Sequence, residues 1–178
     1  AQDIATGCTS SITVDIAPEF TSTPVTTIKY NNDTVTSVCN NASNISPDTS
    51  APGFVSGGLY SSLPNTLVIN AGTGEVDIVN SPPGQYTIKY AVDQDLINCI
   101  GPGSSSVTLT IQPIVTPDFA TPLTFCSGTV APTLDLTSPN GVVGTWSPAT
   151  IDNTADGTYV FTPDAGQCAT SQTITTLV

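Results

Sequence analysis

Five cysteines and no histidine define the chemistry open to this 178-residue chain. Without an imidazole, neither a Ser-His-Asp nor a Cys-His arrangement can form. The cysteines (Cys8, Cys39, Cys99, Cys126 and Cys168) are far apart, and no CxxC pair or Cys/His zinc pattern occurs. Well-separated cysteines in a Thr-rich chain predict disulfides and an oxidising compartment. Acid–base chemistry on sugars would need two carboxylates converging in a cleft. The only glutamates are Glu19 and Glu75, and the aspartates are scattered through turn-like segments, where Asp ordinarily bonds its own backbone. No catalytic residue is therefore predicted and the chain does not read as an enzyme. Calcium is the one cofactor with candidates, because it takes oxygens from Asp and loop carbonyls. Asp93 and Asp95 lie two apart after a predicted strand, and Asp152 and Asp156 bracket a turn. Neither pair belongs to an EF-hand or a nonapeptide repeat, and solvated turn acids are the primary reading.

The cysteines sit in a phrase that recurs. CTSSITVDIAPEF runs from Cys8, CIGPGSSSVTLTIQPIVTPDF from Cys99 and CATSQTITTLV from Cys168. Other stretches echo in the same order. GFVSGGLYSSLP (53–64) matches GVVGTWSPAT (141–150), PPGQYTIKYAVD (82–93) matches ADGTYVFTPDAG (155–166), and STPVTTIKYNNDTVTSVC (22–39) is a longer form of ATPLTFC (120–126). Self-similarity of this kind signals serial modules. The predicted layout is the terminal strand of a truncated module at residues 1–18, a complete module at 19–114 and a shorter one at 115–178. Each complete module is expected to close on its own bridge, Cys39–Cys99 and Cys126–Cys168. Cys8 is left unpaired because its module is truncated. A bridge closing a loop of this length adds about 4 kcal/mol on a chain-entropy model, comparable to the whole margin of a small domain.

The elements that must position these cysteines are strands. SITVDI (11–16), TTIKY (26–30), TVTSV (34–38), TLVIN (66–70), EVDIVN (75–80), QYTIKYAV (85–92) and SVTLTI (106–111) are β-branched or alternate in polarity. TWSPA, TYVFTP and TITTLV play the same parts in the last third. Asn31–Asp33 and Ala71–Gly74 read as turns between strands. No segment carries a helical period. Fifteen prolines and 14 glycines punctuate the strands, and the fold class is all-β, a tandem of sandwich modules. Tyr86 and Tyr159, each near the start of a late strand, read as corner or core residues, and Tyr60 and Trp146 as core plugs. Lys29 and Lys89 each lie in an IKY strand, where alternation turns them outward.

Charge narrows the partners. Fourteen acidic residues oppose two basic ones, a net of −12. Such a polyanion repels nucleic acid and anionic membrane surfaces, and no apolar stretch has bilayer-spanning length. The expected partners are neighbouring repeats and a surface or glycan ligand.

The string TFCSG…APTLDLTSPNGVVGTWSPATIDNTADGTYVFTPDAGQCATSQTITTLV resembles the repeats of giant secreted surface proteins of the Bacteroidota, among them gliding-motility adhesins of the SprB type. SGGLYSSLPNTLVINAGTGEVDIVNSPPGQYTIKYAV is similar to a second repeat type in those proteins. The stretch from Cys39 to Pro52, rich in Asn and Ser, departs from that pattern. The resemblance implies secretion by the type IX route, an extracellular location at the outer-membrane surface, Ig-like sandwich arrays and no catalytic residues. Asp33-Thr34-Val35 also resembles an O-glycosylation motif of that phylum, making Thr34 the candidate acceptor. The function expected is a structural and adhesive repeat segment of a cell-surface adhesin tied to gliding motility or attachment. Two rivals stand beside it: a carbohydrate-binding module, marked by a flat row of exposed aromatics, and an extracellular fibre completed by the strand at Ser11–Ile16.

Overall fold

A computed structural model of the chain describes residues 19–20 and 22–178. Cys8, the strand expected at Ser11–Ile16 and the whole 1–18 segment lie outside the described residues. Ten strands and no helix occur among the described residues. They are β1 (Lys29–Tyr30), β2 (Val35–Cys39), β3 (Pro47–Asp48), β4 (Leu59–Leu63), β5 (Gly84–Val92), β6 (Gly103–Gln112), β7 (Leu123–Thr124), β8 (Gly144–Ser147), β9 (Gly157–Pro163) and β10 (Gln172–Leu177).

Eight of these strands build one topology twice. The first sheet runs β2-β6-β5-β4 and the second β7-β10-β9-β8. In each, the opening strand lies parallel to the closing strand and the other pairs are antiparallel. The registers coincide as well. Gly84 faces Ile111 and Tyr86 faces Leu109 in the first sheet, while Gly157 faces Thr176 and Tyr159 faces Ile174 in the second. The repeated Gly-x-Tyr phrase is thus one position in two copies. Both tyrosines are buried, and each hydroxyl closes a bond to nearby backbone. Tyr86 Oη donates to the Pro82 carbonyl at 2.6 Å, and Tyr159 Oη accepts from the Asp152 N–H at 2.8 Å.

The Gly-x-aromatic phrase has a similar cause. Tyr60 on β4 pairs with Tyr90, and Trp146 on β8 pairs with Phe161. Ring centroids lie 4.6 Å apart in the first pair and 5.1 Å in the second, and a third ring, Phe54 or Phe119, completes each cluster. Two residues before each aromatic stands a glycine packed under the partner ring. A Cβ on Gly58 would lie 2.3 Å from the Ala91 carbonyl oxygen and 2.7 Å from the Tyr90 ring; on Gly144 it would lie 2.3 Å from the Thr162 oxygen and 2.7 Å from the Phe161 ring. Around these rings form two cores. One gathers Ile28, Tyr30, Val76, Ile78, Ile88, Leu109 and Ile111 with the tyrosines. The other gathers Val142, Trp146, Tyr159, Phe161 and Ile174.

The layer opposite each sheet is less regular than two full sheets would be. In the first unit it consists of the β1-β3 pair and isolated bridges such as Val25–Phe54 and Ile69–Val76. In the second unit the bridge Thr137–Val143 stands in its place. Prolines in these segments remove ladder donors. The expected TLVIN/EVDIVN hairpin forms as that single bridge, held by Asn70 N–H to Glu75 O at 2.9 Å and Asp77 N–H to Val68 O at 2.9 Å. TTIKY and TVTSV flank a two-residue turn in which Asn31 and Asn32 take φ of 51° and 63°, the positive values such a loop demands. The two strands then part. β1 joins β3, whereas β2 crosses to lie beside β6. Among the described residues, buried side-chain polar atoms are all paired. Tyr30 Oη donates to Gly74 O at 2.5 Å, and burial, with the nearby Tyr60, raises the Tyr30 phenol well above its ordinary range.

Gly144→Ala places a methyl against backbone that cannot yield without moving β9. It should destabilise the second unit by about 1–3 kcal/mol, read in urea melts through the fluorescence of Trp146, the chain's one tryptophan. An unchanged midpoint would show that the close approach is not a constraint.

Candidate functional site, a disulfide-clamped junction

The two units meet where β6 ends. Gln112 closes β6, and Pro113 and Ile114 lead to Val115, which pairs in parallel with Ala169 of the second unit. Val115 N–H donates to Cys168 O at 2.8 Å, and Thr170 N–H donates to Val115 O at 2.9 Å. On the other side Cys39, the last residue of β2, stands level with Gln112, and Asn40 N–H donates to Gln112 O at 2.9 Å. Cys39 and Cys168 are joined, with Cα atoms 5.2 Å apart. The junction is therefore a short proline-containing connector with a covalent strut beside it.

Polar side chains brace the strut. Asn40 Nδ2 donates to the carbonyls of Ile78 and Ser81, both at 2.9 Å, and Gln112 Nε2 donates to Ser37 Oγ at 2.8 Å. Across the connector, Asn140 Nδ2 donates to Thr116 O at 2.8 Å and Asn140 N–H to Asp118 Oδ1 at 2.8 Å. Gln167, one residue before the bridged cysteine, accepts from Val143 N–H and donates to Val143 O. An open cleft of about 450 Å³ lies alongside, walled by Pro113, Val115, Val142 and Cys168.

This pairing overturns both expected bridges, Cys39–Cys99 and Cys126–Cys168. The reason is the parallel pairing of opening and closing strands. Cys39 ends β2 at the level of Gln112, whereas Cys99 precedes the start of β6. The ten residues of β6 span roughly 30 Å, and a disulfide needs Cα atoms within about 7 Å. In the second unit Cys126 follows Phe125, whose N–H donates to Leu177 O at 3.2 Å, while Cys168 lies before Gln172, the start of β10. Each unit thus carries its cysteines at opposite poles. Cys126 is an exposed free thiol. The order of strand and cysteine is legible in the sequence: VTSVC places a cysteine after its strand and CIGPGSSSVTLTI places one before.

Two of the four calcium candidates, Asp95 and Asp152, serve their own turns. Asp95 Oδ1 accepts from the N–H groups of Ile97 (2.9 Å) and Asn98 (3.1 Å), and Oδ2 accepts from Asn98 Nδ2 at 2.7 Å. The Asn98 side chain first, then its backbone, holds this carboxyl below the usual carboxylate range. Asp152 accepts from the hydroxyl and N–H of Thr154 and is lowered in the same way. Asp156 accepts from Val178 N–H at 2.8 Å. Asp93 is exposed and shares an open cleft with Asp95. Among the described residues, no three His, Cys, Asp or Glu side chains are grouped to hold a metal ion. Thr34 is exposed at the foot of β2, and Lys29 and Lys89 face solvent. All five tyrosines and Trp146 are buried, and the one markedly exposed ring among the described residues is Phe20.

No family model matches the chain, and no curated protein or solved structure matches it either.

The bridge spans 129 residues, which on a chain-entropy model restrains the unfolded chain by about 5 kcal/mol. Its folded-state role is orientation. Replacing both partners, Cys39→Ser with Cys168→Ser, should leave the two cores intact while the units acquire separate correlation times in ¹⁵N relaxation. A double variant that still tumbles as one body would show that the hydrogen bonds alone hold the junction.

Proposed function

We propose that this chain is a structural and adhesive segment of a secreted bacterial cell-surface protein, built as tandem Ig-like modules that space or present an adhesin. The observation that carries the reading is the repetition of one sheet topology along a single chain, with a covalent strut across the connector between the copies. Serial units whose ends lie at opposite poles transmit length and tension. A disulfide is stable in an oxidising, extracellular setting, which supports a location outside the cell. The net charge of −12 keeps neighbouring filaments apart. The resemblance to gliding-motility adhesin repeats points the same way, toward type IX secretion and a role in gliding or attachment.

A carbohydrate-binding module is the less favoured reading, because sugar platforms need a row of exposed rings, whereas all five tyrosines and Trp146 are buried. The preferred reading assigns no catalytic role to any residue. Antibodies raised against the chain should label intact, unpermeabilised cells producing the parent protein, and the chain should stay silent on a glycan array. Labelling confined to lysed cells would contradict the surface reading, and saturable binding to a defined glycan would favour the carbohydrate module.

A further inference from the structure

The two halves of the strut recur in the units that do not share it. On the incoming side, Cys168 lies beside Val115 through the parallel Val115–Ala169 bridge and the bond from Thr170 N–H to Val115 O. Cys99 lies beside Ser22 in the same way, through the parallel Ser22–Ile100 bridge and the bond from Gly101 N–H to Ser22 O at 3.1 Å. On the outgoing side, Cys39 opens a turn closed by Ala42 N–H to Cys39 O at 2.9 Å. Cys126 opens the corresponding turn, closed by Thr129 N–H at 3.1 Å and Thr129 Oγ1 at 2.6 Å, both to Cys126 O. That turn is anchored to the unit by Asn153, whose carbonyl accepts Gly128 N–H at 2.9 Å and whose Nδ2 donates to Thr129 O at 2.7 Å.

The register gives the remaining offset. Cys39 is level with Gln112, and Thr124 is level with Leu177. Cys126 therefore stands two residues past the level of Leu177, just beyond the end of β7. A connector taking up those two residues would present its partner cysteine to Cys126 as Val115 presents Cys168 to Cys39.

The geometry points to Cys126 as the docking half of a second strut, taken by a following unit of this same topology through its cysteine in the position of Cys168. The second observation beside the exposed thiol is the bonded state of Cys39, its counterpart in the first unit. The inference rests on the tandem reading proposed above and makes it specific: the array is cross-linked from each unit to the next, never within a unit. In forming the bond, the two thiols lose two protons and two electrons to a small-molecule disulfide, which leaves as two thiols.

The test uses the full chain followed by a second copy of residues 112–178, so that the copy's Gln112 falls level with Cys126. The copy's own Cys126 is replaced, Cys126→Ser. The protein is oxidised with glutathione disulfide and cut before Asp without reduction. Residues 118–134 should be recovered joined to the copy's last peptide, 164–178, and the link should vanish when the original chain carries Cys126→Ser. A folded copy, judged by its blue-shifted tryptophan emission, with Cys126 still open to alkylation would overturn the inference and leave the tandem reading standing. So would a Cys126–Cys126 link between two molecules. A copy that does not fold would instead count against the tandem reading on which the inference depends.

Discussion

The architecture depends on one constraint: in each unit the opening strand runs parallel to the closing strand. β2 lies along β6 and β7 along β10. Parallel neighbours cannot be joined by a tight turn, so the chain between them must travel out, form the antiparallel strands and return. The return supplies each core, because β5 and β9 carry the buried faces Tyr86-x-Ile88 and Tyr159-x-Phe161 back across the sheet. The same constraint sends a cysteine after the opening strand and a cysteine before the closing strand to opposite poles. Pairing inside a unit is then ruled out by strand length, and pairing across a junction becomes the near contact.

That arrangement changes what the disulfide does. A bridge inside a small sandwich would supplement a thin core. A bridge across the connector leaves the cores to their aromatic clusters and governs how units sit end to end. The connector already limits bending through Pro113 and through the Val115 ladder bonds. The covalent strut adds a second line of attachment on the other side, so that hinging requires deformation of a covalently closed loop. Asn40, Asn140 and Gln167 brace that loop from both units, and among the described residues no buried side-chain polar atom lacks a partner. Stiffness at this junction is what the proposed spacer role would use.

Much of the fold was legible because the local signals agreed with one another. The alternating runs 85–92 and 106–111 became β5 and β6, and the repeated Gly-x-Tyr and Gly-x-aromatic phrases proved to be matching positions in two sheets. The core readings for Tyr60, Tyr86, Trp146 and Tyr159 hold because each ring faces inward on a strand of fixed register. The layer opposite each sheet was less legible, since Pro-rich segments bury side chains through isolated bridges that alternation does not reveal. The disulfides were misread for a topological reason. Order along the chain suggested two consecutive pairs, one closing each module, and nothing in that order states whether the first and last strands run parallel. The cue that bears on it is which side of its strand each cysteine occupies.

Cleavage before aspartate places Cys39, Cys99, Cys126 and Cys168 on four separate peptides, 33–47, 95–117, 118–134 and 164–178. Mass spectrometry of that digest without reduction therefore tests the parallel-strand account most directly. The account requires 33–47 to be joined to 164–178. Recovery of 33–47 joined to 95–117, or of 118–134 joined to 164–178, would contradict it.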